Sequence, residues 1–335
     1  MIELTRRLTE AFGVSGYEDD IRSVIRGEIA DLVDDVRVDA LGNLVARRKG
    51  TGGGKRVMLA AHMDQIGLMI THVDQKGYLR FAPVGYLYAL ACWGGQVRFA
   101  DGTVGTVGLD GRVNPTKELP SLEDMFVDVG TTDRSEVRQK VGDVAAFWHP
   151  FVAQGPIWLA PNMDDRIGCV LLAQLLHELR SQEIAHDLYA VFTTQEEVGL
   201  RGAITSAYAI SPEIAIALDV IPTGDTPHAK PEMSVALGHG AAITIQDSGM
   251  ISHPGLNRLL MATAEAAGVP YQLAVLQGGT TDAYGMQMTR EGVPTAVLSV
   301  PTRYVHTPSQ LVHQRDVEGA IAILRSFLGH SIELS

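Results

Sequence analysis

Cysteine is scarce in this 335-residue chain: there are two, Cys92 and Cys169, and neither belongs to a CxxC pair. Two cysteines cannot build a disulfide framework or a cysteine-rich zinc site, which points to a reducing compartment, the cytoplasm. No run of about 18 apolar residues occurs, so no membrane-spanning helix is expected. The opening MIELTRRLTEAFG lacks a long apolar core and a small-residue cleavage site, so no signal peptide is expected. Positive charge is in deficit, 27 Lys and Arg against 39 Asp and Glu, for a formal net charge of −12. That field argues against nucleic-acid or anionic-membrane partners. HExxH and GxGxxG are both missing. The glycine-rich Gly50–Gly54 is followed by Lys55 and Arg56 rather than Lys-Ser or Lys-Thr, which removes a phosphate loop and leaves a turn. There is no internal repeat and no low-complexity tract.

What is present is a repeated local pattern. Four short apolar runs each end abruptly in polar residues. They are Val57–Ala61 before His62 and Asp64, Leu188–Phe192 before Glu196 and Glu197, Ile214–Leu218 before Asp219, and Ala296–Val300 before Arg303 and His306. Continuous rather than alternating apolar runs predict strands buried on both faces of a mostly parallel sheet. Helical spacing marks Asp19–Leu32, Arg166–Arg180, Asn257–Ala267 and Arg315–Leu328 between them. Strands alternating with helices make an α/β fold, a mixed, mostly parallel sheet flanked by helices. Residues 67–156 differ: they are rich in Gly and Val, with short alternating runs at Gln96–Phe99 and Thr103–Gly108 and turn signals at Asp74–Gly77, Ala100–Gly102 and Asp110–Asn114. They predict an inserted small β-barrel domain, with 1–66 and 157–335 forming the catalytic domain. The methionines and the three tryptophans read as ordinary core.

In open α/β sheets, sites form beyond the carboxyl ends of the strands. Here those ends carry His62, Asp64, Glu196, Glu197, Asp219 and His306, and a loop after the insert adds Asp164 and Asp165. Each has a plain structural reading by itself: a cap for Asp219, an N-cap with a charged first turn for Asp164–Asp165–Arg166, a solvated pair for Glu196–Glu197. Together, carboxylates and imidazoles converging on one place repel or lose hydration unless a cation joins them. Two His with several Asp and Glu suit zinc, cobalt or manganese. The remaining histidines carry no motif and read as structural or exposed.

The strings AHMDQIG (Ala61–Gly67), NMDDRIG (Asn162–Gly168), TTQEEVGLRGA (Thr193–Ala203), ALDV (Ala217–Val220), GGTTDA (Gly278–Ala283) and RYVHTP (Arg303–Pro308) resemble, in order and spacing, the motifs of the M42 family of metallo-aminopeptidases. The resemblance implies a cytoplasmic aminopeptidase that uses two divalent ions, zinc or cobalt with manganese also accepted. It implies His62 and Asp219 on one metal, Glu197 and His306 on the other, Asp164 bridging, Glu196 as general base and Asp64 orienting His62. Adjacent glutamates on an extended chain point apart, so one could bind metal while the other faces water. The resemblance further implies peptide substrates and dimers that build a tetrahedral dodecamer, with the insert serving subunit contact.

Three places depart from the family pattern. Gln65 stands where Glu is usual, which predicts at most a change in pocket polarity. Gly279, Thr280 and Asp282 read either as a substrate-pocket loop or as a helix cap, with Thr280 or Thr281 capping. The stretch Tyr86–Gln96 matches poorly and predicts an altered insert surface. Arg166 is expected to brace the Asp164 loop through a bidentate pair. A related two-metal amidohydrolase or deacylase, and a non-catalytic metal-stabilised assembly protein, remain alternative readings.

Overall fold

The computed structural model describes residues 1–229 and 233–334. The four apolar runs become the strands Arg56–His62, Asp187–Thr193, Ile214–Pro222 and Thr295–Arg303. They lie side by side and parallel, in the order Asp187–Thr193, Arg56–His62, Ile214–Pro222, Thr295–Arg303, at the centre of an eleven-stranded mixed sheet.

Side-chain alternation explains why these runs are apolar throughout. Val57, Leu59 and Ala61 join the larger core on one face, whereas Met58 and Ala60 join the smaller core on the other. Ile214, Ile216 and Leu218 divide from Ala215 and Ala217 in the same way. Successive residues of a strand face opposite sides, so a strand covered twice has no position for a polar residue until it leaves the sheet. The larger core is closed by the helices Met163–Leu179 and Gln314–Leu328, with Ile2–Glu10, Asp19–Ile29 and Pro254–Ala266 packed around them. The smaller core is closed by Arg201–Ile210 and Asp282–Gln287. The result is a three-layer α/β/α unit.

Between Gly67 and Phe147 the chain leaves this unit and forms a closed six-stranded antiparallel barrel. Leu68, Ile70, Leu79, Val97, Phe99, Val107, Met125, Val127 and Phe147 fill it, and the alternate positions face outward. The next strand, Val152–Gln154, already pairs with Ile157–Ala160 in the large sheet. Among the described residues no helix is long and apolar enough to cross a membrane.

Several histidines without a motif have structural partners. His253 Nδ1 accepts from Leu256 N at the start of Pro254–Ala266, and His313 Nδ1 accepts from Arg315 N at the start of Gln314–Leu328. The tryptophans correct a sequence expectation. Trp158 is fully buried, but Trp93 is 48% exposed, on the same segment as the exposed Tyr86, Tyr88 and Leu90.

Candidate metal centre

The carboxyl ends of the parallel strands bring the predicted residues together. His62 is the last residue of Arg56–His62, and Asp219 lies near the end of Ile214–Pro222. His306 follows Thr295–Arg303, and Glu196 and Glu197 follow Asp187–Thr193. Asp164 comes from the irregular first turn of Met163–Leu179, where Asp164 and Asp165 leave helical geometry and are joined by a cis peptide.

Asp164 sits between the two imidazoles. Its Oδ1 is 3.0 Å from His62 Nε2, and its Oδ2 is 3.2 Å from His306 Nε2. Glu197 Oε2 lies 3.3 Å from His306 Nε2, and Glu196 Oε2 lies 3.9 Å from His62 Nε2. Two groups have ligand atoms close enough to share an ion: His62, Asp164 and Asp219, and Asp164, Glu197 and His306. Asp164 is common to both.

The electrostatics of this pocket favour a cation. Burial, and the nearby carboxylates of Asp219 and Glu197, push Glu196 well above the usual carboxylate range. Burial with Asp164 and Asp282 does the same to Asp219, and burial with Asp164 raises Glu197. Burial opposes charge on the imidazoles too. The carboxylates around them outweigh it, raising His62 well above its ordinary value and His306 to about 11. Glu197 Oε1 is buried without a partner. Buried anions in excess, an orphaned carboxylate oxygen and two oxygen–nitrogen ligand groups fit divalent cations better than protons.

The Glu196–Glu197 pair departs from the extended chain expected from sequence. It occupies a turn: Gln195 has φ of 56°, and the Glu196 carbonyl accepts from both Gly199 N and Leu200 N. The two side chains diverge because the chain bends beneath them. Asp64 holds that bend, its Oδ1 accepting from Glu196 N at 3.0 Å and its Oδ2 from Glu197 N at 3.2 Å. Toward His62, the Asp64 carboxylate is 3.5 Å from Nδ1, and the Asp64 carbonyl is 3.2 Å from it.

Two residues that no motif marks complete this support. Ser15 Oγ donates to Asp64 Oδ2 at 2.6 Å, and buried Glu18 accepts from Thr194 Oγ1 and from Gln195 N. Their link to the site runs through a loop between the first two helices, which sequence spacing does not tie to residue 194.

Arg166 corrects its expected role. It makes no pair with Asp164. Its guanidinium is fully buried and donates to the carbonyls of Leu8, Ala11 and Gly13 and to Gln65 Oε1. Gln65 is likewise a buried brace rather than a pocket residue, since its Oε1 also accepts from Asn162 Nδ2 at 2.7 Å. Replacing Arg166 with Leu strands several buried acceptors, at ~1–3 kcal/mol for each group left unsatisfied. The expected loss is at least about 3 kcal/mol, read as a lowered urea midpoint at unchanged m-value.

The barrel also touches the site. Gly85 has φ of 76°, and a Cβ there would stand 2.8 Å from Ile66 Cγ2 and 3.3 Å from Glu197 Oε2. Gly85→Ala should cost at least ~1–2 kcal/mol from the left-handed backbone alone. It should also weaken metal binding by displacing Glu197, as a zinc titration of the folded variant would show.

The loop at 278–282 both borders a cleft and caps a helix, and Thr281 does both. Gly279 and Thr280 line a cleft of about 710 Å³ that also reaches Asp164, Asp219 and His306. Thr281 is the N-cap of Asp282–Gln287, its hydroxyl accepting from Ala283 N. Asp282 lies behind the cleft, bonded to the Thr193 hydroxyl, with its carboxyl raised to about 6 chiefly by burial. Tyr86 and Tyr88 line the same cleft, so the atypical stretch borders the site as well as the insert surface.

Comparison with known proteins agrees with this architecture. A lysyl aminopeptidase of Pyrococcus furiosus is 35% identical over 97% of this chain and 96% of its own length. The solved aminopeptidase APDkam598 of the archaeon Desulfurococcus kamchatkensis superposes with a TM-score of 0.94 at 38% identity, covering 98% of this chain and 94% of that one. The TET1 peptidase of Pyrococcus horikoshii, which can assemble into a tetrahedron or a large octahedral shell, gives a TM-score of 0.87 at 32% identity, with 98% of each chain covered. The family described as M42 glutamyl aminopeptidase matches residues 42–323, a span that holds His62, Asp64, Asp164, Glu196, Glu197, Asp219 and His306, and the chain belongs to that family.

Proposed function

We propose that this protein is an aminopeptidase that removes N-terminal residues from peptides with the help of two divalent metal ions, zinc or cobalt, with manganese a third fit. The observation that carries the reading is Asp164, whose two oxygens face two different imidazoles at 3.0 and 3.2 Å. In this arrangement His62 and Asp219 would hold one ion, Glu197 and His306 would hold the other, and Asp164 would be shared. When bound, such ions would acidify a nearby water and offset negative charge on the substrate carbonyl oxygen.

The chain's own residues do the rest. Glu196 is outside both ligand groups, and burial beside Asp219 and Glu197 makes its carboxylate a stronger proton acceptor than an exposed one. It is therefore suited to take a proton from the attacking water and return it to the leaving amine. Asp64 keeps the Glu196 and Glu197 backbone amides in place. The free α-amine of the substrate would bind near an ion or a carboxylate of the site, which restricts cleavage to the amino end.

Aminoacyl-p-nitroanilides and their N-acetylated counterparts, offered to chelator-stripped protein with zinc, cobalt or manganese restored, test the reading. Hydrolysis should return with metal and only on free amines. Release of acetate from the acetylated substrates, with no p-nitroaniline from the free amines, would instead indicate a deacylase, and a metal-loaded protein silent on both would be a metal-stabilised assembly protein.

We also infer that copies associate as dimers that build a tetrahedral dodecamer, with the barrel in the contact. The assembly of the Pyrococcus horikoshii relative supports this, and a particle mass no larger than a dimer would refute it. Two free, buried cysteines support work in the cytoplasm.

A further inference from the structure

The cleft has a floor and a wall of different character. Asp164, Asp219 and His306 form the floor, whereas Tyr86, Tyr88, Leu276, Tyr304 and Val305 form much of the wall. Tyr86 meets Tyr88 edge-on at 5.0 Å, and its ring centre lies 6.1 Å from that of His306. The aromatic wall therefore begins one ring away from a ligand group. Tyr86, Tyr88 and Tyr304 are 60%, 50% and 52% exposed, so they hold apolar surface that a bound side chain would cover. Tyr304 and His306 both have left-handed backbone, with φ of 61° and 60°. One loop thus accepts strain at two positions to bring a tyrosine and a candidate ligand to the same cleft.

Among the described residues lining the cleft, none is Lys or Arg, and the carboxylates are Asp164 and Asp219, both members of the ligand groups. An acidic substrate side chain would lose hydration without meeting a counter-charge, and a basic one would meet no spare carboxylate. A lysine ammonium could lie on a tyrosine face, but at an exposed rim that contact is weaker than covering an apolar side chain.

Resting on the aminopeptidase reading, we propose that this cleft selects peptides whose first residue is apolar or aromatic, with Tyr86, Tyr88 and Tyr304 as the residues that read it. The side chain next to the scissile bond lies against the tyrosine wall when the carbonyl lies over the floor. The selectivity comes from apolar surface covered rather than from a charge pair.

The experiment compares kcat/KM for leucyl-, phenylalanyl-, alanyl-, glutamyl- and lysyl-p-nitroanilide on the metal-restored full chain, wild type and Tyr86→Ala and Tyr304→Ala. The wild type should favour leucyl and phenylalanyl over glutamyl and lysyl by at least about tenfold. Each variant should lose about tenfold on leucyl and phenylalanyl through KM, with alanyl little changed. Activity led by glutamyl or lysyl substrates would overturn this inference and leave the aminopeptidase standing. An equal fall on all substrates in the folded variants would overturn the role of the tyrosines. Silence on every free amine, with metal bound, would sink the aminopeptidase reading and this inference with it.

Discussion

Glu196→Gln is expected to lower kcat by about 10²–10⁴-fold while the protein keeps its metal. The two properties separate because Glu196 belongs to neither ligand group, although its Oε2 reaches within 3.9 Å of His62 Nε2. Gln preserves the shape of the side chain and cannot take a proton. The backbone at 196 stays tied to Asp64 through its amide, so the turn itself should survive. Turnover of leucyl-p-nitroanilide and metal content by elemental analysis are measured on the same sample. Glu197→Gln is the comparison. Its carboxylate faces His306 at 3.3 Å within a ligand group, so that variant should lose metal as well as activity. If Glu196→Gln keeps nearly full turnover, the proton acceptor lies elsewhere. If it loses metal instead, Glu196 is a ligand.

Much of this was legible in the sequence for a definite reason. A strand covered on both faces must be apolar at every position, so Val57–Ala61 and Ile214–Leu218 announce themselves without alternation. The first polar residue after such a run marks where cover on both faces ends: His62 closes its strand, and Asp219, still paired with Ser299, lies past the last residue paired with Arg56–His62. The barrel declared itself by the opposite signal, alternation between closely spaced turns. What stayed hidden depends on backbone groups or on contacts between distant segments. Arg166 satisfies carbonyls, and a carbonyl has no residue identity to read. The turn under Glu196 and Glu197 rests on a left-handed Gln195, where no glycine advertises the bend. Ser15, Glu18 and Gly85 act on the site from other elements. Tyr86 and Tyr88 reach the cleft because the barrel folds back against the strand ends, a placement that local patterning does not encode.

Asp164→Ala should remove both metal ions, whereas His306→Ala should remove one. The reasoning is geometric: Asp164 is the one residue common to the two ligand groups, and each of its oxygens faces a different imidazole. Without it, His62 and Asp219 would remain as two candidate ligands on one side, and Glu197 and His306 as two on the other. Each set is then short of the three protein ligands that catalytic zinc sites use. Activity should fall to background in Asp164→Ala, but activity alone does not distinguish a lost ion from a misplaced one. Metal-linked stability does. A ligand that binds only the folded state adds about 2.7 kcal/mol when present at a hundred times its Kd. Zinc should therefore raise the melting temperature of the wild type and leave that of Asp164→Ala unchanged. The fold of the variant has independent support, because the Asp164 backbone amide still donates to Gln310 Oε1 and the helix behind it is buried along its length. An Asp164→Ala protein that keeps two ions per chain, or the full zinc-dependent rise in melting temperature, would show that the two groups do not share this carboxylate.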